Sequence, residues 1–180
     1  MNLPQILESF KNDPAVKNNI SHWEIIPARD GQYEQFPSYL DEKLVRTLKD
    51  RGINDLYSHQ RSALDSIHDG HDTVIVTPTA SGKTLCYNLP VLDAIMKNKS
   101  VRALYLFPTK ALSQDQLAEL TGLIDKLDVD IKTYTFDGDT PQTARRLIRS
   151  AGHIVVTNPD MLHAGILPHH TKWIKLFENL

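Results

Sequence analysis

Lys83 and Thr84 are the two side chains of this chain best placed by their neighbours to do chemistry. They close the run T-V-I-V-T-P-T-A-S-G-K-T, from Thr73 to Thr84. A short apolar stretch (Val74, Ile75, Val76) stops at Pro78, a loop of small residues follows, and Gly82-Lys83-Thr84 leads into Leu85-Cys86-Tyr87-Asn88-Leu89. The pattern predicts strand, tight loop and helix, the setting of a phosphate-binding loop. Free backbone N–H groups of such a loop and of the following helix N-terminus point into one small space, which favours anions. Small side chains at Thr79, Ala80, Ser81 and Gly82 let a polyphosphate approach that backbone. Lys83 reaches the β- and γ-phosphates as a mobile cation, and the Thr84 hydroxyl is a hard oxygen suited to Mg²⁺. Thr77 stands where the pattern usually begins with glycine. An ordinary strand-to-helix turn bending at Gly82 would leave the lysine at that offset unexplained.

The elements that must carry this loop follow from periodicity. Apolar strands are expected at 102–107, 131–136 and 153–156 as well as at 74–76, each followed by a helix. The helices are expected from about Lys83 to Lys97, Thr109 to Leu123 and Pro141 to Ser150, with a short one after Pro159 and a last one from Trp173 to Leu180. Upstream, Ser38–Arg51 predicts a helix capped by Ser38 and ended by Gly52, and a second helix runs to about Ile67. Four strands alternating with helices imply an α/β fold with a doubly wound parallel sheet. Ligands then bind beyond the C-terminal strand ends. The polar loops 78–84, 108–110, 137–140 and 157–160 all lie there.

Residues 1–36 read as a peripheral, mostly helical extension. Leu3, Ile6, Leu7 and Phe10 have helical spacing, Asn12-Asp13-Pro14 breaks it, and His22–Pro27 is expected as a short strand. Trp23 is expected as a packing anchor. Residues 37–180 form the main domain.

Composition sets bounds. The chain has 180 residues, 41% hydrophobic and 23% charged, which suits one packed domain. No apolar run approaches a membrane span and the N-terminus has no signal-peptide pattern, so a cytoplasmic setting is expected, nucleoid-associated in a bacterium. The single cysteine, Cys86, is expected to be a buried structural thiol. The net charge of −2 leaves nucleic acid open as a partner, since a local basic groove suffices. His163, His169 and His170 lack ligand spacing, so no metal site is expected there. Arg145 and Arg149 share a helix face that is expected to be solvated.

Further motifs, in order with the loop, resemble superfamily 2 helicases of the DEAD/DEAH type. Leu56-Tyr57-Ser58-His59-Gln60 resembles the Q motif. The resemblance implies that Gln60 reads the adenine edge with both ends of its amide while Tyr57 packs on the base. Phe107-Pro108-Thr109-Lys110-Ala111-Leu112-Ser113-Gln114-Asp115-Gln116 resembles motif Ia. Asp137-Gly138-Asp139-Thr140 resembles the intervening glycine motif, and Thr157-Asn158-Pro159-Asp160-Met161-Leu162 resembles motif Ib. In the family these loops hold the backbone of a single strand without reading its sequence. Here Pro108, Thr109, Lys110, Gly138, Asp139, Thr157 and Asn158 would do so. The wording looks closest to the branch of the bacterial mitomycin-repair helicase and its fungal RecQ-like relatives. That implies a RecA-like P-loop NTPase fold, ATP with Mg²⁺, and 3′-to-5′ movement on single-stranded DNA rather than RNA, in DNA repair.

The family's next motif, a strand ending in Asp-Glu-x-His or Asp-Glu-x-Asp, has no counterpart. Asp41-Glu42 opens a helix and Asp128-Val129-Asp130 precedes a strand. The expectation is an N-terminal fragment of a longer helicase, its first RecA-like domain truncated and its second absent. Such a fragment would bind ATP weakly, hydrolyse it negligibly and expose an unpaired sheet edge. Two other classes are compatible with the loop alone, a small-molecule P-loop kinase and a non-catalytic nucleotide-binding module. A kinase usually starts almost at the loop and carries an arginine-rich lid, whereas A-R-R-L-I-R reads as a regular amphipathic helix.

Overall fold

The computed structural model describes residues 2–27 and 30–180. Its contacts divide the chain into two units, residues 1–31 and 32–180. In the first unit, α1 (Leu3–Asn12) begins with a capping box between Asn2 and Gln5, and α2 (Pro14–Lys17) is capped by Asp13. Residues 22–27 form no strand. Ile25 and Ile26 face solvent there, so nothing orders them into a ladder. Trp23 is partly exposed, with the Lys11 ammonium 5.3 Å from its ring centroid.

The second unit starts earlier than residue 37 because β1 (Tyr33–Glu34) pairs antiparallel with β2 (Leu56–Tyr57). Between them lies α3 (Glu42–Asp50), whose N-cap is Asp41 rather than Ser38. The Asp41 carboxylate accepts the Lys43 N–H at 2.8 Å, and the Asp41 N–H is fixed by Asp93 Oδ1 at 2.8 Å. Next come α4 (Ser58–His68) and α5 (Lys83–Lys97), and α5 has the bounds its sequence predicts.

The sheet is three-stranded and parallel. Its members are β3 (Ala103–Leu106), β4 (Thr133–Thr135) and β5 (Ile154–Thr157), with β5 in the middle. Helices α6 (Lys110–Leu127) and α7 (Gln142–Ala151) provide the crossovers. The chain ends through α8 (Pro159–Met161), a π-turn at Leu162–Ile166, a 3₁₀ segment at Leu167–Trp173 and α9 (Ile174–Phe177). The last helix is thus shorter than expected.

The pleat of β5 sorts the core into two layers. Ile154 and Val156 join Leu44, Leu64, Leu89, Leu92, Leu120 and Leu127 under α3 to α6. Val155 points the other way, into Phe136, Ile148, Ile166, Trp173 and Leu176. Phe136 and Trp173 meet edge to face with centroids 4.8 Å apart. Helices therefore cover both faces, as a doubly wound fold requires.

One expected strand is missing. Residues 74–76 run without a ladder partner among the described residues, and Val74 and Val76 are each 89% exposed. Alternate exposure of Val74 and Val76 about half-buried Ile75 keeps the extended period of two. A strand needs a neighbour to bond to, and among the described residues this segment has none.

Candidate nucleotide and strand-binding site

Gly82 sets the geometry of the phosphate-binding loop. It caps α5 in the left-handed region (φ 76°), and Ala80 takes the same region (φ 59°). A β-carbon on Gly82 would stand 2.6 Å from Gln60 Nε2, so both backbone and space demand glycine. The Lys83 ammonium folds into the loop. It donates to Pro78 O (2.8 Å) and Thr77 O (2.9 Å), with the Thr77 and Ser81 hydroxyls at 3.3 and 3.4 Å. Those hydroxyls are 2.6 Å from each other. Thr77, in the usual glycine position, thus serves the lysine with its carbonyl and its hydroxyl. A cation gathered by four oxygens at a helix N-terminus suits an incoming phosphate, whose oxygens can replace them.

Gln60 is 3% exposed. Its Nε2 donates to Gly82 O and its Oε1 accepts from Tyr57 N, each at 2.9 Å. The amide keeps one further N–H and one further lone pair. It faces a cavity of about 690 Å³ together with Tyr33, Tyr57, Gly82, Thr84 and Glu119, a size suited to a small-molecule ligand. One wall is aromatic. Tyr33 stacks on Tyr57 at 4.9 Å, and His59 lies behind Tyr57 at 5.7 Å. The Thr84 hydroxyl donates to Gln116 Oε1 at 3.3 Å, and the Tyr87 hydroxyl donates to the same oxygen at 2.5 Å.

A second group of loops follows β3, β4 and β5, at the same end of the parallel sheet. Thr109 caps α6, its hydroxyl accepting from Leu112 N at 3.3 Å. Lys110 forms an ion pair with Asp139 across two loops. That contact holds the Asp139 carboxyl below its usual range and raises the Lys110 ammonium. Asp137 Oδ1 accepts from Asp139 N (3.0 Å) and from the Thr140 hydroxyl (3.1 Å), closing a tight turn around exposed Gly138. Lys110, Ser113, Gln114, Asp137 and Asn158 line one small cleft with Thr157.

Comparison with known proteins places this arrangement. The sequence profile of the DEAD/DEAH box helicases matches residues 57–180. The chain belongs to the DEAD/DEAH box helicase family. It is 52% identical over 178 residues to the ATP-dependent helicase YprA of Bacillus subtilis (strain 168), covering 99% of this chain and 23% of that protein. It is 35% identical over 174 residues to the ATP-dependent helicase HRQ1 of Saccharomyces cerevisiae, covering 95% of this chain and 16% of that one. Among solved structures, the DUF1998 helicase MrfA bound to DNA matches with a TM-score of 0.89 and 51% identity, over 100% of this chain and 25% of that one. The yeast DEAD-box splicing factor Prp28 matches in fold, with a TM-score of 0.63 over 73% of this chain and 34% of that one. The chain spans about a quarter or less of the length of the first two relatives and of MrfA.

Within this helicase domain the expected residues fall into two clusters. Tyr57, Gln60, Ala80, Gly82 and Thr84 line the first cavity, with Lys83 folded into the loop beside it. Lys110, Thr157 and Asn158 line the second. Pro108, Thr109, Gly138 and Asp139 are exposed on its rim loops, and Thr79 is exposed in the phosphate loop. Thr157, expected among the strand contacts, is 1% exposed, and its hydroxyl donates to Phe136 O at 2.6 Å. It ends β5, so its hydroxyl bonds within the sheet. Asn158 Oδ1 caps α8 by accepting from Met161 N at 2.7 Å.

Arg145 is not on a solvated face. It is half-buried, with its guanidinium 5.1 Å from the Phe136 centroid, Nε donating to Thr140 O (3.0 Å) and Nη2 to Asp137 O (3.4 Å). It therefore holds the glycine-motif loop from beneath. Tyr33 and Gln116 are the other residues that sequence reasoning missed. Gln116 sits two helical turns beyond Thr109, a spacing that places both on one face of α6. Tyr33 has no local signal, since only the β1–β2 pairing brings it to Tyr57.

Proposed function

We propose that this chain is the ATP-binding, strand-gripping part of an ATP-dependent DNA helicase that moves 3′ to 5′ on single-stranded DNA in repair. Residues 37–180 belong to its first RecA-like domain, which Tyr33–Glu34 join through β2, and the residues before them are an extension. A cytoplasmic, nucleic-acid-associated protein suits this reading. The observation that carries it is the pairing of two sites along one helix, α6, which lines both. The Lys83 loop and Gln60 stand at the first, and the loops of Lys110, Gly138 and Asn158 stand at the second.

The residues present fit ATP. Lys83 and the α5 N-terminus hold the phosphates, the stacked Tyr33–Tyr57 wall packs against the base, and the remaining N–H and lone pair of Gln60 match the adenine edge. The Thr84 hydroxyl is the oxygen ligand for Mg²⁺, which supplies charge neutralisation on the phosphates when bound. At the second site, Thr109, Lys110 and the backbone around Gly138 contact phosphate and sugar without base readout. Coupling between the sites lets the nucleotide state set the grip on the strand. Hydrolysis further needs a metal carboxylate and a water-positioning group. This segment by itself then binds ATP weakly and turns it over negligibly.

The test is anisotropy of a labelled single-stranded oligodeoxynucleotide on the intact protein, with and without ATP·Mg²⁺, for wild type and Lys83→Ala. Salt-sensitive strand binding that ATP shifts in wild type alone supports the reading. Phosphate transfer to a metabolite, or nucleotide binding with no strand affinity at low salt, overturns it.

A further inference from the structure

Helix α6 touches both sites. Its first two turns supply Lys110, Ser113 and Gln114 to the strand-side cleft. Its next turns supply Glu119 and Leu123 to the nucleotide cavity. Gln116 lies between them, about 10 Å along the axis from the Thr109 cap. It is half-buried, and its side-chain oxygen accepts two hydroxyl protons, from Thr84 and Tyr87.

A carboxamide oxygen has two lone pairs, and both are used here. The Thr84 proton is thereby aimed at α6, which leaves the lone pairs of Thr84 for a cation on its other side. Tyr87 steadies the acceptor. Its ring meets Tyr105 edge to face at 5.5 Å and lies tilted against Phe107 at 6.4 Å. The Tyr105 hydroxyl is in turn held by Asn88 Oδ1 at 3.0 Å. Phe107 directly precedes Pro108 and Thr109, at the start of the strand-side loop. Two contacts from α5, through Gln116 and through Tyr87 on Phe107, thus converge on the element that faces the strand.

We propose that Gln116 is a positioning residue that ties the nucleotide-side hydroxyl of Thr84 to helix α6, so that nucleotide occupancy sets the placement of the α6 strand contacts. The proposal rests on the ATP-and-strand reading above. It takes its force from one oxygen that joins the two sites through a single rigid helix. Gln116 touches neither ligand. It acts through Thr84 and through the helix that carries it.

The experiment measures single-strand affinity of the intact protein with and without a non-hydrolysable ATP analogue and Mg²⁺. It compares wild type with Gln116→Met, which keeps the volume and lacks a strong acceptor, and Gln116→Glu, which keeps an acceptor for both hydroxyls. Wild type is expected to show a nucleotide-dependent change of about fivefold or more. Gln116→Met is expected to reduce it below about twofold, with nucleotide-free strand affinity and nucleotide affinity each within about threefold of wild type. Gln116→Glu is expected to restore it. Full coupling in Gln116→Met overturns the proposal. So does loss in both variants, which would make the residue a packing element only. No change in wild type overturns the function reading itself, a result distinct from either failure of Gln116.

Discussion

Gln60 donates its amide to the carbonyl of Gly82 at 2.9 Å, so the first turn of α4, where the Q motif ends, is bonded to the pivot of the phosphate-binding loop. The other end of the same amide accepts the Tyr57 N–H at 2.9 Å. One buried side chain therefore locks the base-side aromatic and the phosphate loop at a set separation.

Replacing Gln60 by Ala strands two backbone groups, the Tyr57 N–H and the Gly82 carbonyl. A loss of about 1–3 kcal/mol in unfolding free energy is expected from denaturant titration. Calorimetry should show ATP affinity down by about tenfold or more. Strand affinity without nucleotide should be unchanged. Unaltered ATP affinity would separate Gln60 from the base pocket.

The Lys110–Asp139 pair occupies a cation that a strand phosphate would otherwise use. Asp139→Asn should free Lys110 and raise nucleotide-free strand affinity several-fold, steepening its salt dependence by about one counterion. The carboxyl is held below its usual range, so its charge is lost only in acid. The raised lysine keeps its charge until strongly basic pH. The pair spans the neutral range, and the affinity gain of the variant should be flat between about pH 6 and 9. An unchanged or weaker Asp139→Asn complex would mean that Asp139 itself supports the strand.

Arg145 tests positioning against charge. Arg145→Lys keeps the cation but loses the planar fork that reaches Thr140 O and Asp137 O. If the loop anchor matters, the Lys and Ala variants should both weaken strand binding, by about tenfold, the equivalent of about 1.4 kcal/mol. ATP affinity should not move. Rescue by lysine would instead assign Arg145 to the phosphate track.

His153 gives a pH signature. It is buried, and Nδ1 accepts the Lys132 N–H at 3.0 Å, so the neutral ring is the bonded form. Burial first, then the nearby Arg102 and Lys99, push it below its ordinary value. The unfolded chain then binds the proton more readily. Its contribution is complete above the unfolded value of about 6.5 and is lost as pH falls from there. The urea midpoint should drop between pH 7.5 and 5.5, and His153→Gln should remove most of that drop.

Much of the scaffold was legible because its signals are local. Helix α5 runs from Lys83 to Lys97 as read, since Gly82 and Asn98 punctuate it, and Thr109 caps α6 as its type suggests. The cap of α3 moved to Asp41 because a distant carboxylate, Asp93, fixes that turn. Residues 74–76 carry every strand preference, yet a ladder is a property of two segments. The burial of Thr157 is not legible in its motif because it depends on ending a central strand. Gln116 and Arg145 were opaque for the same reason, since their partners lie on other elements.

The bare segment at Val74–Val76 has a consequence for how the loop answers its ligand. With no ladder alongside among the described residues, the loop is secured chiefly by the Lys83 ammonium on Thr77 and Pro78 and by Gln60 on Gly82. An arriving polyphosphate competes for the first of these ties while adding its own. The amide protons of residues 74–77, 79 and 80 should exchange with deuterium quickly in the free chain and slow when ATP is added. The segment would then be a recording strip for occupancy, readable without any measurement of turnover.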